Sequence, residues 1–137
     1  MISFDSKLNG FVLPDPPLFK TWLKEVIKTE GKKTGNIYYA FLSDEQLLEI
    51  NKNYLQHNFY TDIITFPLSN SNEIISGDIF ISIDRVKENA VQNKVDFENE
   101  LKRVMVHGVL HLLGYDDHSD EEKKIMRSKE DYYINLF

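Results

Sequence analysis

The sequence contains no cysteine, so it forms no disulfide and offers no thiolate to a metal; any metal must be held by histidine, carboxylate or water. Long apolar runs are also missing. Stretches such as residues 79–81 and 104–106 fall far short of the roughly 20 residues that span a bilayer. The opening segment MISFDSK has neither the basic start, the apolar stretch nor the small-residue cleavage site of a secretory signal. A cytoplasmic protein with no membrane partner is the expectation. Repeats, low-complexity tracts and linkers are absent as well, and the few prolines, Pro14, Pro16, Pro17 and Pro67, stand near element boundaries. Residues 1–137 therefore read as a single domain, a length that buries roughly two-thirds of its unfolded surface.

Positive charge is in short supply. The formal net charge is −6, and a field of that sign repels nucleic acid at long range unless the cations are gathered into a patch. The first half is nearly neutral, whereas acids concentrate towards the C-terminus, notably Asp116, Asp117, Asp120, Glu121 and Glu122; a basic face on the N-terminal half stays open. What remains is ordinary: 42% hydrophobic and 28% charged residues describe a packed core and not a disordered chain.

Along the chain, residues 2–4 make a short edge strand. Pro16 and Pro17 open a helix in which Leu18, Trp22, Val26 and Ile27 recur at helical spacing before Gly31. Residues 36–42 are rich in Ile, Tyr and Phe and read as a strand; Ser43 and Gln46 then form a capping box for a helix to about Tyr54. Residues 62–66 and 77–83 are β-branched, apolar runs bounded by Pro67, by the polar loop 69–72 and by Asp84, and look like paired strands. A helix follows over 85–92, Asp96 caps another that runs to Leu113 and ends at Gly114, and residues 120–133 close the chain as a charged helix. Helices and strands alternate without a regular βαβ rhythm. The expectation is an α+β fold, a small mixed sheet of about four strands packed with about five helices.

The informative stretch is His107-Gly108-Val109-Leu110-His111-Leu112-Leu113-Gly114-Tyr115-Asp116-Asp117-His118. Residues four apart share one helix face, so the imidazoles of His107 and His111 can converge on one ion at about 2.0–2.1 Å. Gly108 removes a side chain beside the first of them, and Gly114 suits a left-handed turn that ends the helix and folds the chain back. The next residues, Asp117 or His118, are then placed to supply a third ligand, most simply to zinc. The helix resembles that of zincin proteases but lacks the glutamate after the first histidine that serves as their general base. Gly108 stands there instead. Metal-assisted hydrolysis remains, because the ion itself activates bound water. The isolated His57 reads as a surface residue.

The same stretch resembles the YbeY endoribonuclease signature His-Gly-x-Leu-His-Leu-x-Gly-Tyr-Asp-His, differing only at its last specified position. Asn53-Tyr54, Thr61-Asp62-Ile63-Ile64-Thr65-Phe66-Pro67 and Gly77-Asp78-Ile79 resemble that family's Tyr-Arg, Thr-Asp-Val-Leu-Ser-Phe-Pro and Gly-Asp-Ile segments in the same order, and the likeness covers roughly residues 42–133. The resemblance implies a cytoplasmic, zinc-dependent endoribonuclease with one zinc per chain. It acts on single strands, in maturation of the small-subunit ribosomal RNA 3′ end and in ribosome quality control. Its partners are ribosomal RNA and the small subunit or its proteins, with no DNA expected. Metal-bound water is the implied catalytic group, with no side-chain base assigned.

Two departures from the family pattern bear on the chemistry. Asp117 stands where the family has its third histidine, and His118 follows one place later. Glu122, Met126 and Glu130 keep offsets from Gly114 that resemble the family's without a gap, which favours Asp117 as the ligand over an insertion that would let His118 serve. A carboxylate leaves the metal less positive and its water harder to ionise. The second departure is Leu55, where the family usually carries an arginine suited to clamping a phosphate; Lys52, Gln56 or His57 replace it only in part. Asp62, Asp78 and Asp116 are candidates to orient the ligands, while Lys32 and Lys33 are candidate phosphate contacts. Two alternatives compete with the nuclease reading: a metal-dependent peptidase, and a non-catalytic ribosome assembly factor with a structural zinc.

Overall fold

The computed structural model describes residues 1–68 and 71–137; Ser69 and Asn70, half of the expected polar loop, lie outside the described residues. The elements run β1 (Ile2–Ser6), α1 (Pro16–Thr29), β2 (Lys33–Leu42), α2 (Asp44–Leu55), β3 (Ile63–Pro67), β4 (Ile74–Ser82), α3 (Ile83–Asn93), α4 (Phe97–Leu112) and α5 (Asp120–Ile134). Helix starts are fixed by short polar side chains. Ser43 and Gln46 form the expected capping box, Asp96 accepts from the Asn99 amide at 2.7 Å, and Ser119 with Glu122 forms a second box at α5. At α3 the cap is Ser82, whose hydroxyl accepts from the Arg85 amide at 3.1 Å, so that helix begins before the expected Arg85.

The sheet order is β1-β2-β4-β3. The β1, β2 and β4 strands are parallel, and β3 is an antiparallel edge against β4. The β1-α1-β2 segment is thus one parallel crossover unit, whose long connection here is the helix α1; the expected irregular alternation describes the rest. Both β2 and β4 begin earlier than the sequence suggests, because Lys33 pairs with Ile74 and Thr34 with Ile75 before a register shift.

Side chains alternate across this sheet. One face sends Ile37, Tyr39, Phe41, Ile79 and Ile81 into the main core with Leu23 and Val26 of α1 and Met105 and Val109 of α4. The other face sends Ala40, Leu42 and Ile64 against Leu47 of α2 in a smaller cluster. Gly108 is where α4 comes closest to the sheet: a Cβ there would stand 3.0 Å from Ile79 and 3.1 Å from Ile63. With α4 seated on the β3–β4 edge, the histidines that flank Gly108 open beside β3. No helix among the described residues is long and apolar enough to cross a membrane.

Candidate metal centre

His107 and His111 lie one turn apart on α4, with ring centroids 4.5 Å apart and planes at 80°. The helix then closes in a Schellman arrangement: the Tyr115 amide donates to Leu110 O and the Gly114 amide to His111 O, each at 3.0 Å, with Gly114 at φ 104. Only a residue without Cβ adopts that backbone cheaply. The reversed chain brings Asp117 back over the two rings. Its Oδ2 is 3.4 Å from His107 Nε2 and 3.7 Å from His111 Nε2, and one donor atom from each residue falls within 4.8 Å of the others. Donors bonded at about 2.0–2.2 Å in a tetrahedral shell stand roughly 3.4 Å apart. Two imidazole nitrogens and a carboxylate oxygen at this spacing suit a divalent cation such as zinc. His118 is exposed and lines the adjoining cleft, but it is not one of the three convergent donors.

The other nitrogen of His107 is held by a residue the sequence reading did not single out for a role. Nδ1 is 2.7 Å from Glu130 Oε2. The Glu130 carboxylate is buried, 5% exposed, and its Oε1 accepts from Arg103 at 2.9 Å; Arg103 in turn donates to Asp131 at 2.6 Å. A carboxylate on Nδ1 fixes that nitrogen as the protonated one and turns the Nε2 lone pair towards a cation. Burial alone would lower the His107 pKa, but the hydrogen bond and charge of Glu130, then Asp117 and Asp62, leave it above the ordinary value. Burial and then the charge of His107 push His111 below its ordinary value. The signal for Glu130 was present in the sequence: it shares the buried stripe of α5 with Met126 and Tyr133, where an unpaired acid would be costly.

The expected orienting aspartates fare differently. Asp62 is half-buried beside His107, and burial raises its carboxyl above the usual range. Its carboxylate accepts from the Asn89 side-chain amide at 3.5 Å and from backbone amides, not from an imidazole. Asp78 is not at the site. It pairs across the sheet with Tyr38 and Phe66, whose side chains lie on the α2 face, and alternation puts α4 on the opposite side. Asp116 is exposed at the cleft and reaches His111 through its charge alone. On the far side of the ligand turn, the Tyr115 hydroxyl donates to Glu30 at 2.5 Å. Tyr133 and Lys129 donate to the same carboxylate, which ties the turn to α1 and α5.

The donors open onto a cleft of ≈ 490 Å³ walled by Leu55, His57, Phe59 and the 61–65 run. No lysine or arginine is among its described lining residues. Leu55 sits in the wall, 39% exposed, and of Lys52, Gln56 and His57 only His57 lines it. Lys32, just before β2, and Lys33, its first residue, are not among the cleft's lining residues either. Buried Asn51 braces the rim: its side-chain amide donates to Phe59 O at 2.9 Å, and its carbonyl accepts from the His57 amide at 3.0 Å. The His57 ring stacks on Phe59, centroids 5.2 Å apart and 20° between planes.

A family model described as Endoribonuclease YbeY matches residues 15–137 of this chain. The chain is 50% identical over 137 residues to the Endoribonuclease YbeY of Flavobacterium psychrophilum, covering 100% of this chain and 96% of that protein. It is 49% identical to that of Flavobacterium johnsoniae, covering 100% and 97%. Its fold is similar to the solution structure of TM1509 from Thermotoga maritima, with a TM-score of 0.72 and 30% identity over 98% of this chain and 87% of that one. Half identity sustained along the full length of its relatives, on a matching fold, means that the chain belongs to the YbeY endoribonuclease family.

Proposed function

We propose that residues 1–137 form one zinc-dependent hydrolase domain, an endoribonuclease that cuts single-stranded RNA. Its substrate is ribosomal RNA on or near the small ribosomal subunit, in 3′-end maturation and ribosome quality control in the cytoplasm. The observation that carries the reading is the convergence of His107, His111 and Asp117 at the floor of an open cleft, in a chain whose full-length relatives are named endoribonucleases. His107, His111 and Asp117 would hold one ion per chain. Bound there, the ion supplies Lewis acidity, polarising a phosphoryl oxygen and making water a better acid or nucleophile at neutral pH.

The protein's own groups do the rest. Glu130, held by Arg103, locks the His107 ring so that the donor set is pre-shaped. Asp62 lines the cleft beside His107 with its carboxyl raised by burial, and it is the group there best suited to hold or pass a proton. Phe59, 56% exposed and backed by His57, gives an unpaired base a stacking surface, which supports the single-strand preference. Leu55 adds apolar wall and no phosphate clamp.

The test is elemental analysis joined to cleavage of a labelled single-stranded oligoribonucleotide by the wild type and by His111→Ala. Near-stoichiometric zinc and cleavage in the first, with loss of both in the second, are expected. A purified His111→Ala protein that still cleaves at the wild-type rate would sink the metal-dependent reading.

A further inference from the structure

The cleft presents a difficulty for a polyanionic substrate, since no lysine or arginine is among its described lining residues. Cations do stand close by, on the other side of the donors. A second cavity of ≈ 380 Å³ shares Asp62, Ile63, His107 and Asp117 with the cleft, and there Arg103 and Arg127 join the lining. The two guanidinium groups are not equivalent. Arg103 is committed to Glu130 and Asp131 and its side chain is 17% exposed. The Arg127 side chain is 58% exposed, and its one ion-pair contact, to Glu130 Oε1, is at the outer distance of 4.0 Å.

Arg127 also belongs to a shallow groove on α5 with Lys123, Lys124, Ser128 and Asp131. Lys123 and Lys124 are exposed, four and three residues before Arg127 respectively and so on the same helix face. Neither has an ion-pair partner among the described residues. Asp131, the one acid in that groove, is neutralised by Arg103 at 2.6 Å. The acids Asp120, Glu121 and Glu122 lie in the first turn, at the lysine end of the ridge, but none of them lines the groove. In a chain of formal net charge −6, this is a run of three available cations that starts at the metal donors and leads away from them.

We propose that single-stranded RNA crosses the donor group and leaves it along α5, its successive phosphates paired with Arg127 and then with Lys123 and Lys124. The proposal rests on the RNA-cleaving reading and adds to it the path and the direction of the bound strand. Phosphate contacts of this kind position a strand without reading its sequence, and arginine nearest the reacting group suits the bidentate pairing that fixes a phosphate in register.

The measurement is anisotropy of a fluorescent single-stranded 2′-O-methyl phosphorothioate oligonucleotide on the zinc-loaded protein, over a range of salt concentrations. The wild type is compared with a triple variant, Lys123→Gln, Lys124→Gln and Arg127→Gln, all exposed helix positions. A control variant, Lys24→Gln, Lys28→Gln and Lys87→Gln, removes equal charge from exposed positions that line neither the cleft nor the α5 groove. Zinc content of each is checked alongside. Single strands lose roughly 0.7 from the slope of log K against log salt for each phosphate contact removed. The α5 variant should therefore lose about 2 from the slope, with KM for RNA cleavage raised, while the control keeps the wild-type slope. Equal losses in both variants, or none in either, overturn the path while leaving RNA cleavage intact. A wild type that neither binds nor cleaves single-stranded RNA overturns the RNA reading itself, and the path with it.

Discussion

Glu130 is two bonds of influence away from any substrate, yet the donor set depends on it. It is the hydrogen-bond partner of His107 Nδ1 at 2.7 Å, and loss of such a partner commonly lowers metal affinity 10- to 100-fold. Glu130→Gln keeps the shape and removes the charge. Competition with a chromophoric chelator should show zinc affinity down by roughly that factor; an unchanged affinity would mean that packing alone holds the ring. The third ligand is tested in the same assay: Asp117→Ala should lose zinc and His118→Ala should keep it. Most of this site was legible in the sequence, because His107, His111, Gly114 and Asp117 act through local spacing on one helix and its turn. Glu130 left a trace, an acid in the apolar stripe of α5, but its partners His107 and Arg103 were not legible, since the contact spans α4 and α5 and only packing joins them. Asp78 misled for a related reason: the period of two in a strand decides which face it serves, and its neighbours in space, Tyr38 and Phe66, are remote in sequence.

At the scale of elements, the question is what holds α4 and its turn at the sheet edge. Gly108 sets the approach. A methyl there meets Ile79 and Ile63 at 3.0 and 3.1 Å, and Ile79 is fully buried and has no free space to yield. Alanine gains about 1 kcal/mol of helix propensity over glycine, but overpacking costs about 1–3 kcal/mol. Gly108→Ala should thus be destabilised by about 1 kcal/mol in urea unfolding and bind zinc less tightly, because α4 must lift. The turn is tied from the other side by Glu30. Burial pushes its carboxyl up, but hydrogen bonds from Tyr115, Tyr133 and Lys129 outweigh that and hold it below its ordinary value. A depressed acid contributes stability that is complete above its unfolded pKa and is lost as pH falls through the lower folded value. Glu30→Gln should cost about 1–3 kcal/mol at neutral pH, and the gap from wild type should shrink in acid unfolding midpoints below about pH 4.5. A constant gap would show that charge is not what Glu30 contributes. The helices themselves were readable from their caps and apolar spacing. The early starts of β2 and β4 were not, because they come from pairing with each other across the register shift.

At the scale of the whole molecule, charge and stability follow different geographies. A formal net charge of −6 is an average; the composition left a basic face on the N-terminal half open, whereas the cations that share a cavity with His107 and Asp117 are Arg103 and Arg127, on α4 and α5. Composition has no means of placing a residue on one side of a helix. Stability, by contrast, is seated away from the site. The main core runs from Ile2 through α1, β2, β4, α4 and α5 to Tyr133, and none of the three donors belongs to it. The fold should therefore survive metal removal, unlike a zinc finger, whose folding free energy is the metal's binding free energy. Zinc that binds only the folded form still adds about 2.7 kcal/mol at 100-fold excess over its dissociation constant, which for a chain of this size is roughly ten degrees in Tm. Chelator should leave the far-ultraviolet circular dichroism unchanged at room temperature, and zinc should then raise Tm by about that amount in the wild type but not in His111→Ala. Unfolding on chelation would relocate the fold's stability to the metal. Equal Tm gains in both proteins would mean that zinc binds somewhere other than His107, His111 and Asp117.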